Sequence, residues 1–164
     1  MAALRTLNDL FLHALKDIHY SERLILRALP KMVKKAQTPE LKEALETHRG
    51  VTEVQIQRLQ KIFDILQKPS RGVKCEAMDG IIAEAESLME EIDDPEVADA
   101  GIIANAQSVA HYEITRYGTL AAWAQELGMD EAAKLLHQTL EEEKGADRKL
   151  SDLAKRRVNK AAAA

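Results

Sequence analysis

Apolar residues recur along this chain at steps of three and four, which is the spacing of one face of an α-helix. The spacing persists through four long segments, and signals that start or stop helices separate them, such as Thr38-Pro39, Asp94-Pro95 and Gly128. We therefore predict four long helices and one short helix, over residues 6–36, 39–67, 80–92, 95–127 and 130–158. Pro30 lies inside the first of these segments, where proline is expected to kink the helix or to end it early.

The chain between the second and third long helices is too long for a simple turn in a helix bundle. We interpret it as a crossover that carries the short helix. No segment alternates in the manner of a strand rich in β-branched residues. The sequence thus predicts an all-α fold with a single domain over 1–158, a four-helix bundle, followed by a frayed tail over 159–164.

Acidic residues interrupt the apolar faces at positions where a helix in a bundle should present leucine. Glu22 lies on the first long helix and Glu113 on the third, while Glu143 and Asp147 lie one turn apart on the fourth. His48 occupies a similar position on the second long helix. These five residues are the candidate metal ligands.

Their heights along the helices indicate that they meet. Glu22 precedes Thr38, where the second helix starts, by 16 residues, and Glu113 precedes Asp130 by 17. In an antiparallel hairpin, residues at equal distances from the turn lie at one level, which places all five candidates in one layer.

Taken singly, each acid is more simply a surface group or half of a salt bridge, and His48 an ordinary core histidine. Arg116 is the one nearby cation in the pattern. Four carboxylates in one desolvated layer must take up protons or bind cations. Carboxylates with histidine are the ligands by which helix bundles hold two irons or manganeses.

Composition narrows the classes of function. The net charge of −4 argues against a nucleic-acid binder held mainly by charge, although Lys155-Arg156-Arg157 could make local contacts. Cys75 is the only cysteine, as is usual in a reducing compartment. The N-terminus lacks the apolar core of a signal peptide, and no apolar run reaches membrane-spanning length. We expect a soluble cytoplasmic protein.

Four stretches of the chain carry a resemblance to a known family. They are Asp17-Ile-His-Tyr-Ser-Glu22, Lys74-Cys-Glu-Ala-Met-Asp-Gly80, His111-Tyr-Glu-Ile-Thr-Arg-Tyr-Gly118 and Leu140-Glu-Glu-Glu-Lys-Gly-Ala-Asp147. With them the chain resembles the YciF/YciE family of bacterial stress-response proteins, within the ferritin-like, rubrerythrin-type superfamily. The resemblance implies a ferritin-like four-helix bundle, a homodimer and a dinuclear metal site. It carries the same five residues over as ligands: Glu22, His48, Glu113, Glu143 and Asp147.

Two positions depart from the family pattern. Val51 stands where the second helix usually has an acid, and Ala110 replaces the glutamate common before His-Tyr-Glu. The implied cofactor is iron in a two-metal site, with manganese as the alternative, and the implied chemistry is oxygen or peroxide activation or ferroxidase-type oxidation. The competing hypothesis is a non-enzymatic structural or assembly protein of the stress response, whose metal site is structural or vestigial. The sequence leaves open whether the protein is an enzyme, and it identifies neither a substrate nor any other protein partner.

Several further residues carry more specific expectations. Tyr117, one turn beyond Glu113, is either a hydrogen-bond partner of a ligand carboxylate or an ordinary core tyrosine. His111 is expected at an interface or in a second layer around the site, and Cys75 is expected to be a buried small hydrophobe. Glycines inside predicted helices indicate close helix approach or room beside a site, and the sequence does not choose between them: Gly50, Gly101, Gly118 and Gly145.

Two sets of residues concern surfaces. His13, His19 and His137 are expected at the surface or rim. Apolar residues beyond one inward face on the first and third long helices predict a symmetric dimer; they are Leu24, Leu26, Ile103, Ala121, Ala122 and Trp123.

Overall fold

A computed structural model describes residues 3–164. Helices account for most of the described chain, which confirms the predicted all-α fold. The helices are α1 (Leu7–Lys35), α2 (Pro39–Ile65), α3 (Glu76–Glu91), α4 (Pro95–Glu126), α5 (Asp130–Leu153) and α6 (Asn159–Ala162). A wider π-helical turn over Ala154–Val158 joins α5 to α6, so the predicted tail is largely helical.

The helix ends follow from local hydrogen bonding. Thr6 and Asp9 form a reciprocal capping box at the start of α1. The Asp94 carboxylate accepts two backbone N–H bonds at the start of α4. Gly128, with φ at +69°, ends α4 as predicted, because glycine adopts this left-handed conformation without steric cost. Helix α1 continues past Pro30 to Lys35, so the proline does not end it early.

One predicted helix boundary was wrong, and two residues at helix starts do not cap their own helices. Helix α3 starts at Glu76, not near position 80, because the Cys75 thiol accepts the N–H of Met78 and caps the helix. Thr38 precedes α2 as predicted, but its hydroxyl donates to Asp99 of α4 and does not cap its own helix. Asp130 is the first residue of α5, and Met129 occupies the cap position.

The four long helices form the bundle as two hairpins, α1 with α2 and α4 with α5, and α3 packs on α4 and α1. The core falls into two apolar clusters at different heights. One contains Phe11, Leu15, Phe63, Leu120 and Leu136, and the other contains Ile25, Leu41, Met78, Ile102 and Leu153. Along each long helix the residues of one cluster are separated from those of the other by polar side chains. A buried polar layer therefore crosses the middle of the bundle.

The residues expected to contact a dimer partner differ in how far they are exposed at the surface of this chain. Ile103 and Ala121 are buried inside the chain's own apolar clusters, while Leu24, Leu26 and Trp123 are half-buried and Ala122 is exposed. In the described part of the chain, no helix has the length and apolar character needed to cross a membrane.

Candidate metal centre

The polar layer draws one or more residues from each long helix. Glu22 comes from α1, Glu113 from α4 and Glu143 from α5, and all three are fully buried. From α2 come His48, whose side chain is 19% exposed, and Gln55, which is fully buried. The apolar neighbours of each residue on its own helix fix it at this height, since their side chains pack into the clusters above and below.

Three of the predicted ligands share one small volume. One ligand atom from each of His48, Glu113 and Glu143 can be chosen so that all three lie within 4.8 Å of one another. His48 Nε2 lies 3.7 Å from Glu143 Oε2, which is too long for a direct hydrogen bond. Such a group of imidazole and carboxylate donors can hold a metal ion.

Two polar side chains of the layer hold carboxylates in place. Gln55 Nε2 donates to Glu143 Oε1 at 2.6 Å, and the Tyr117 hydroxyl donates to Glu22 Oε1. The bond from Tyr117 is the contact expected of a group that orients a ligand carboxylate. Gln55 was not among the sequence candidates; its position on the inward face of α2 was the available signal.

Several carboxylate oxygens are buried without any hydrogen-bond partner among the described residues. They are both oxygens of Glu113, Oε2 of Glu22 and Oε2 of Glu143. An unpartnered buried acceptor costs free energy in proportion to its lost hydration, and an ionised one costs several kcal/mol. These oxygens therefore require protons or a cation.

The pKa values of the carboxyl groups also indicate that the layer needs protons or a cation. Burial raises the pKa of Glu22 to about 8, the bond from Tyr117 acts against this shift, and the charge of Glu143 adds to it. Burial, with repulsion from Glu143 and Glu22, raises the pKa of Glu113 well above its ordinary value. In the absence of a cation the layer holds protons at neutral pH.

Two predicted ligands lie outside the group of His48, Glu113 and Glu143: Glu22 adjoins Glu113 in the layer, and Asp147 lies at the edge of the layer. Its side chain is 20% exposed, and Oδ1 lies 2.8 Å from Gln107 Nε2 and 3.2 Å from His111 Nε2. Both contacts lie on α4, one turn along the bundle from Glu143. His111, with a side chain 66% exposed, thus contacts Asp147 at the edge of the layer.

The arginine that reaches the edge of the layer is not the one expected from the sequence. Arg116 does not reach the buried acids; it pairs with Asp17 and stacks over the Tyr112 ring. Arg58 instead forms two short bonds, of 2.6 and 2.7 Å, to Glu142 at the edge of the layer. Sequence reasoning missed Arg58, because it lies beside the inward face of α2 and not on it.

The structure also tests the expectations for Cys75 and for three histidines. His19, expected at the surface, is buried with its ring edge against Phe63, and burial lowers its pKa. This prediction was wrong because His19 lies beside Ile18 on a helix whose buried face is wider than one apolar stripe. Cys75 is buried as predicted, with Sγ 2.9 Å from the Tyr112 hydroxyl. His13 and His137 are exposed.

These features define the class of protein: a ferritin-like four-helix bundle with a long crossover and a buried layer of carboxylates. Residues 6–163 match the family described as Domain of unknown function (DUF892), and the chain belongs to this family.

Relatives of known structure agree over nearly the whole chain. The protein YciF of Escherichia coli is 43% identical over 160 residues, which cover 97% of this chain and 96% of YciF. The crystal structure of that stress protein matches with a TM-score of 0.91, covering 96% of this chain and 99% of the other. YcfI from Rhodopseudomonas palustris, a protein proposed to be structural, is 49% identical with a TM-score of 0.88, covering 90% and 94%. A protein from Xanthomonas campestris, 18% identical with a TM-score of 0.74 and 92% coverage of both chains, shares the fold.

Proposed function

We propose that the polar layer is a binding site for iron or manganese. The observation that carries this proposal is the pair of buried, unpartnered oxygens of Glu113, which lie beside Glu143 and His48. A divalent cation would compensate these charges and satisfy these oxygens together. The donor set of carboxylates with one imidazole suits iron and manganese better than soft metals, which prefer thiolates.

The residues divide naturally between the two metals of a dinuclear site. His48, Glu113 and Glu143 would hold one ion, and Glu22 with Glu113 would supply carboxylates for a second. Tyr117 and Gln55 orient Glu22 and Glu143 through their hydrogen bonds. When bound, iron or manganese would supply redox chemistry toward oxygen or peroxide. The surrounding apolar clusters would limit the access of water to it.

The test compares the metal content of matched variants. Metal-free protein is titrated with ferrous iron without oxygen, and separately with manganese, and bound metal is counted after desalting. Wild type is expected to retain one or two ions, Glu113→Gln to lose at least one, and Glu126→Gln, an exposed acid on the same helix, to match wild type. If wild type binds nothing, or if Glu113→Gln binds as much as wild type, the site assignment is wrong.

A second candidate function is a structural protein of the stress response without metal chemistry. Its support is that protons and hydrogen bonds can compensate the buried carboxyl groups without metal. The pKa values of Glu22 and Glu113 are raised, which favours their uncharged forms. Tyr117 donates to Glu22, and Gln55 donates to Glu143. The proposal that the R. palustris relative is structural points the same way. Oxygen and peroxide consumption by the iron-loaded protein separates the two functions. Consumption that disappears in Glu113→Gln supports the catalytic one, and its absence from loaded wild type supports the structural one.

A further inference from the structure

A cavity of about 470 Å³ that is partly open to solvent lies between the helices next to the polar layer. Residues from α1, α2, α3, α4 and α5 line it, and most of them are apolar, including Ile25, Leu29, Leu45, Ile82, Val109 and Leu150. We propose that this cavity binds a medium-chain aliphatic molecule that carries an uncharged oxygen head group, with the head beside His48. This site adjoins the proposed metal centre and shares His48 with it, but its evidence is the cavity and the residues that line it.

The size of the space suits a small molecule. The volume falls within the range of roughly 300–1,000 Å³ that small-molecule pockets occupy. A smaller cavity, of about 220 Å³, shares Ala28, Met32 and Ile82 as a common wall with the first. Lys31, Lys35, Glu86 and Glu90 also line the smaller cavity, so the apolar wall that suits an aliphatic ligand belongs to the first cavity.

Gly145 leaves space at the cavity wall. A Cβ added there would meet nothing within 4 Å among the described residues, so close helix packing does not require glycine at this position. A glycine inside a helix lowers its stability relative to alanine, and Gly145 lies on the cavity wall. Gly101 contrasts with it, since an added Cβ there would lie 2.7 Å from Met89 Cε. Close helix approach thus explains Gly101 and does not explain Gly145.

The end of the cavity at His48 also departs from the family pattern. Val51 and Ala110 occupy the two positions where the resemblance leads us to expect acids, and both line the cavity together with His48. At this end of the cavity Val51 and Ala110 therefore present apolar surface beside the His48 imidazole and the paired carboxylate of Glu142. A ligand head at this point lies within reach of a hydrogen bond to His48.

The charges of the wall favour an uncharged head group. Among the charged wall residues, Glu40 pairs with Arg157 and Glu142 with Arg58. The other two, Glu43 and Lys149, have opposite charges. The wall as a whole presents no excess charge to attract a carboxylate or an ammonium group, and burying either without a partner is unfavourable.

The experiment is a calorimetric titration of metal-free protein with decanol. We expect saturable binding by wild type, weaker binding of decanoate and of decylamine, and still weaker binding of butanol, which leaves most of the apolar wall uncovered. Gly145→Leu should weaken decanol binding about tenfold or more, because the new side chain fills part of the cavity. Gly145→Ala should give a smaller loss in the same direction and keeps the fold, since its Cβ meets no neighbour within 4 Å.

Gly50→Leu is the matched control. Gly50 is also a glycine inside a helix with nothing within 4 Å of an added Cβ, but it is exposed and does not line the cavity. Decanol should bind to this variant as to wild type. The proposal is overturned if decanol does not bind, if decanoate or decylamine binds better, or if Gly145→Leu and Gly50→Leu behave alike. Because the titration uses metal-free protein, its failure leaves the metal proposal standing, and the reverse also holds.

Discussion

At the scale of single residues, the buried carboxyl groups make the stability of the metal-free protein depend on pH. The pKa of Glu22 is raised from 4.5 to about 8, so the folded state keeps a proton that the unfolded chain releases above about pH 4.5. The free energy of unfolding should therefore fall as the pH rises from about 4.5 to about 8, by an amount on the order of a few kcal/mol. Glu113, whose pKa is also raised, acts in the same direction.

Urea unfolding of metal-free wild type and Glu22→Gln at several pH values in this range checks that prediction. Glutamine resembles the protonated carboxyl group and does not titrate, so the variant should lose less stability than wild type as the pH rises. His19 acts in the opposite direction at low pH, because its lowered pKa makes protonation of the folded state unfavourable. Both proteins contain His19, so its contribution cancels when the free energy of unfolding of one is subtracted from that of the other. Parallel pH profiles would contradict the assignment of a raised pKa to Glu22.

The hydroxyl of Tyr117 provides a second prediction at this scale. It donates to Glu22 Oε1 in the buried layer, and Oε2 of the same carboxyl group has no partner among the described residues. Tyr117→Phe should lower the free energy of unfolding by about 1–3 kcal/mol, because it leaves a buried acceptor unsatisfied. Tyr20→Phe is the control, since the Tyr20 hydroxyl donates to Asp79 at the partly exposed edge of α3 and its loss should cost less. Equal losses would show that burial of the bond has no effect.

At the scale of helices, the turn between α1 and α2 depends on a residue of another helix. The buried carboxylate of Asp99, on α4, accepts the backbone N–H groups of Gln37 and Thr38 at 2.7 and 2.8 Å and the Thr38 hydroxyl. Asp99→Ala should lower the free energy of unfolding by about 3 kcal/mol, because it leaves three donors without this acceptor. Asp94→Ala, which removes an exposed cap of α4, should cost about 1 kcal/mol. Urea unfolding of both variants tests this order.

The bond from Thr38 to Asp99 also shows where prediction from sequence reached its limit. Thr38-Pro39 identified the start of α2 correctly, because the type and order of these residues determine it locally. The hydroxyl of Thr38 binds a residue 61 positions away, which no local pattern reveals. The cap at Cys75 was missed for a related reason, since cysteine is not among the usual N-cap residues.

The level of the polar layer was predicted from the sequence, but the directions of its side chains were not. Helical periodicity and equal distances from the turns placed Glu22, Glu113 and Glu143 at one level, and the structure brings these three together. The direction of a side chain around its helix is harder to predict. Asp147 shares a face with Glu143 by spacing, yet it turns to Gln107 and His111. Arg58 enters the layer from a flanking position that periodicity did not select, whereas Gln55 lies on the inward face of α2 but has no charge to mark it as a ligand.

At the scale of the whole molecule, metal binding should stabilise the fold. A ligand that binds only the folded state adds about 2.7 kcal/mol at a hundred times its dissociation constant, so iron- or manganese-loaded protein should melt at a higher temperature than metal-free protein. The difference should shrink at low pH, where protons compete for the ligand oxygens. Calorimetric melting with and without metal measures it, and Glu113→Gln should show a smaller rise. A rise equal to that of wild type would point to binding elsewhere.

The predicted homodimer is also a property of the whole molecule. The half-buried side chains of Leu24, Leu26 and Trp123 leave apolar surface on α1 and α4 that a second copy could cover. Light scattering at micromolar concentration should give twice the mass of the 18.3 kDa chain. Substituting Leu26 by glutamate should shift the mass toward that of one chain, and Leu88→Glu, at an exposed apolar position on α3, is the control. A wild-type protein that scatters as a single chain would contradict the prediction.

The polar layer between the two apolar clusters also limits how the helices can slide past one another. Four amphipathic helices whose inward faces were leucine throughout could shift by one turn, about 5.4 Å, and still bury similar apolar area. In this chain such a shift would place Glu22 or Glu143 against the apolar side chains of a cluster. The hydrogen bonds from Tyr117 to Glu22 and from Gln55 to Glu143 would then be lost. We therefore expect the buried carboxylates to raise the free energy of shifted helix registers, which favours the one observed packing. A protein with leucine at all the layer positions should resist urea better and yet lose the sharp, dispersed amide spectrum of a single arrangement.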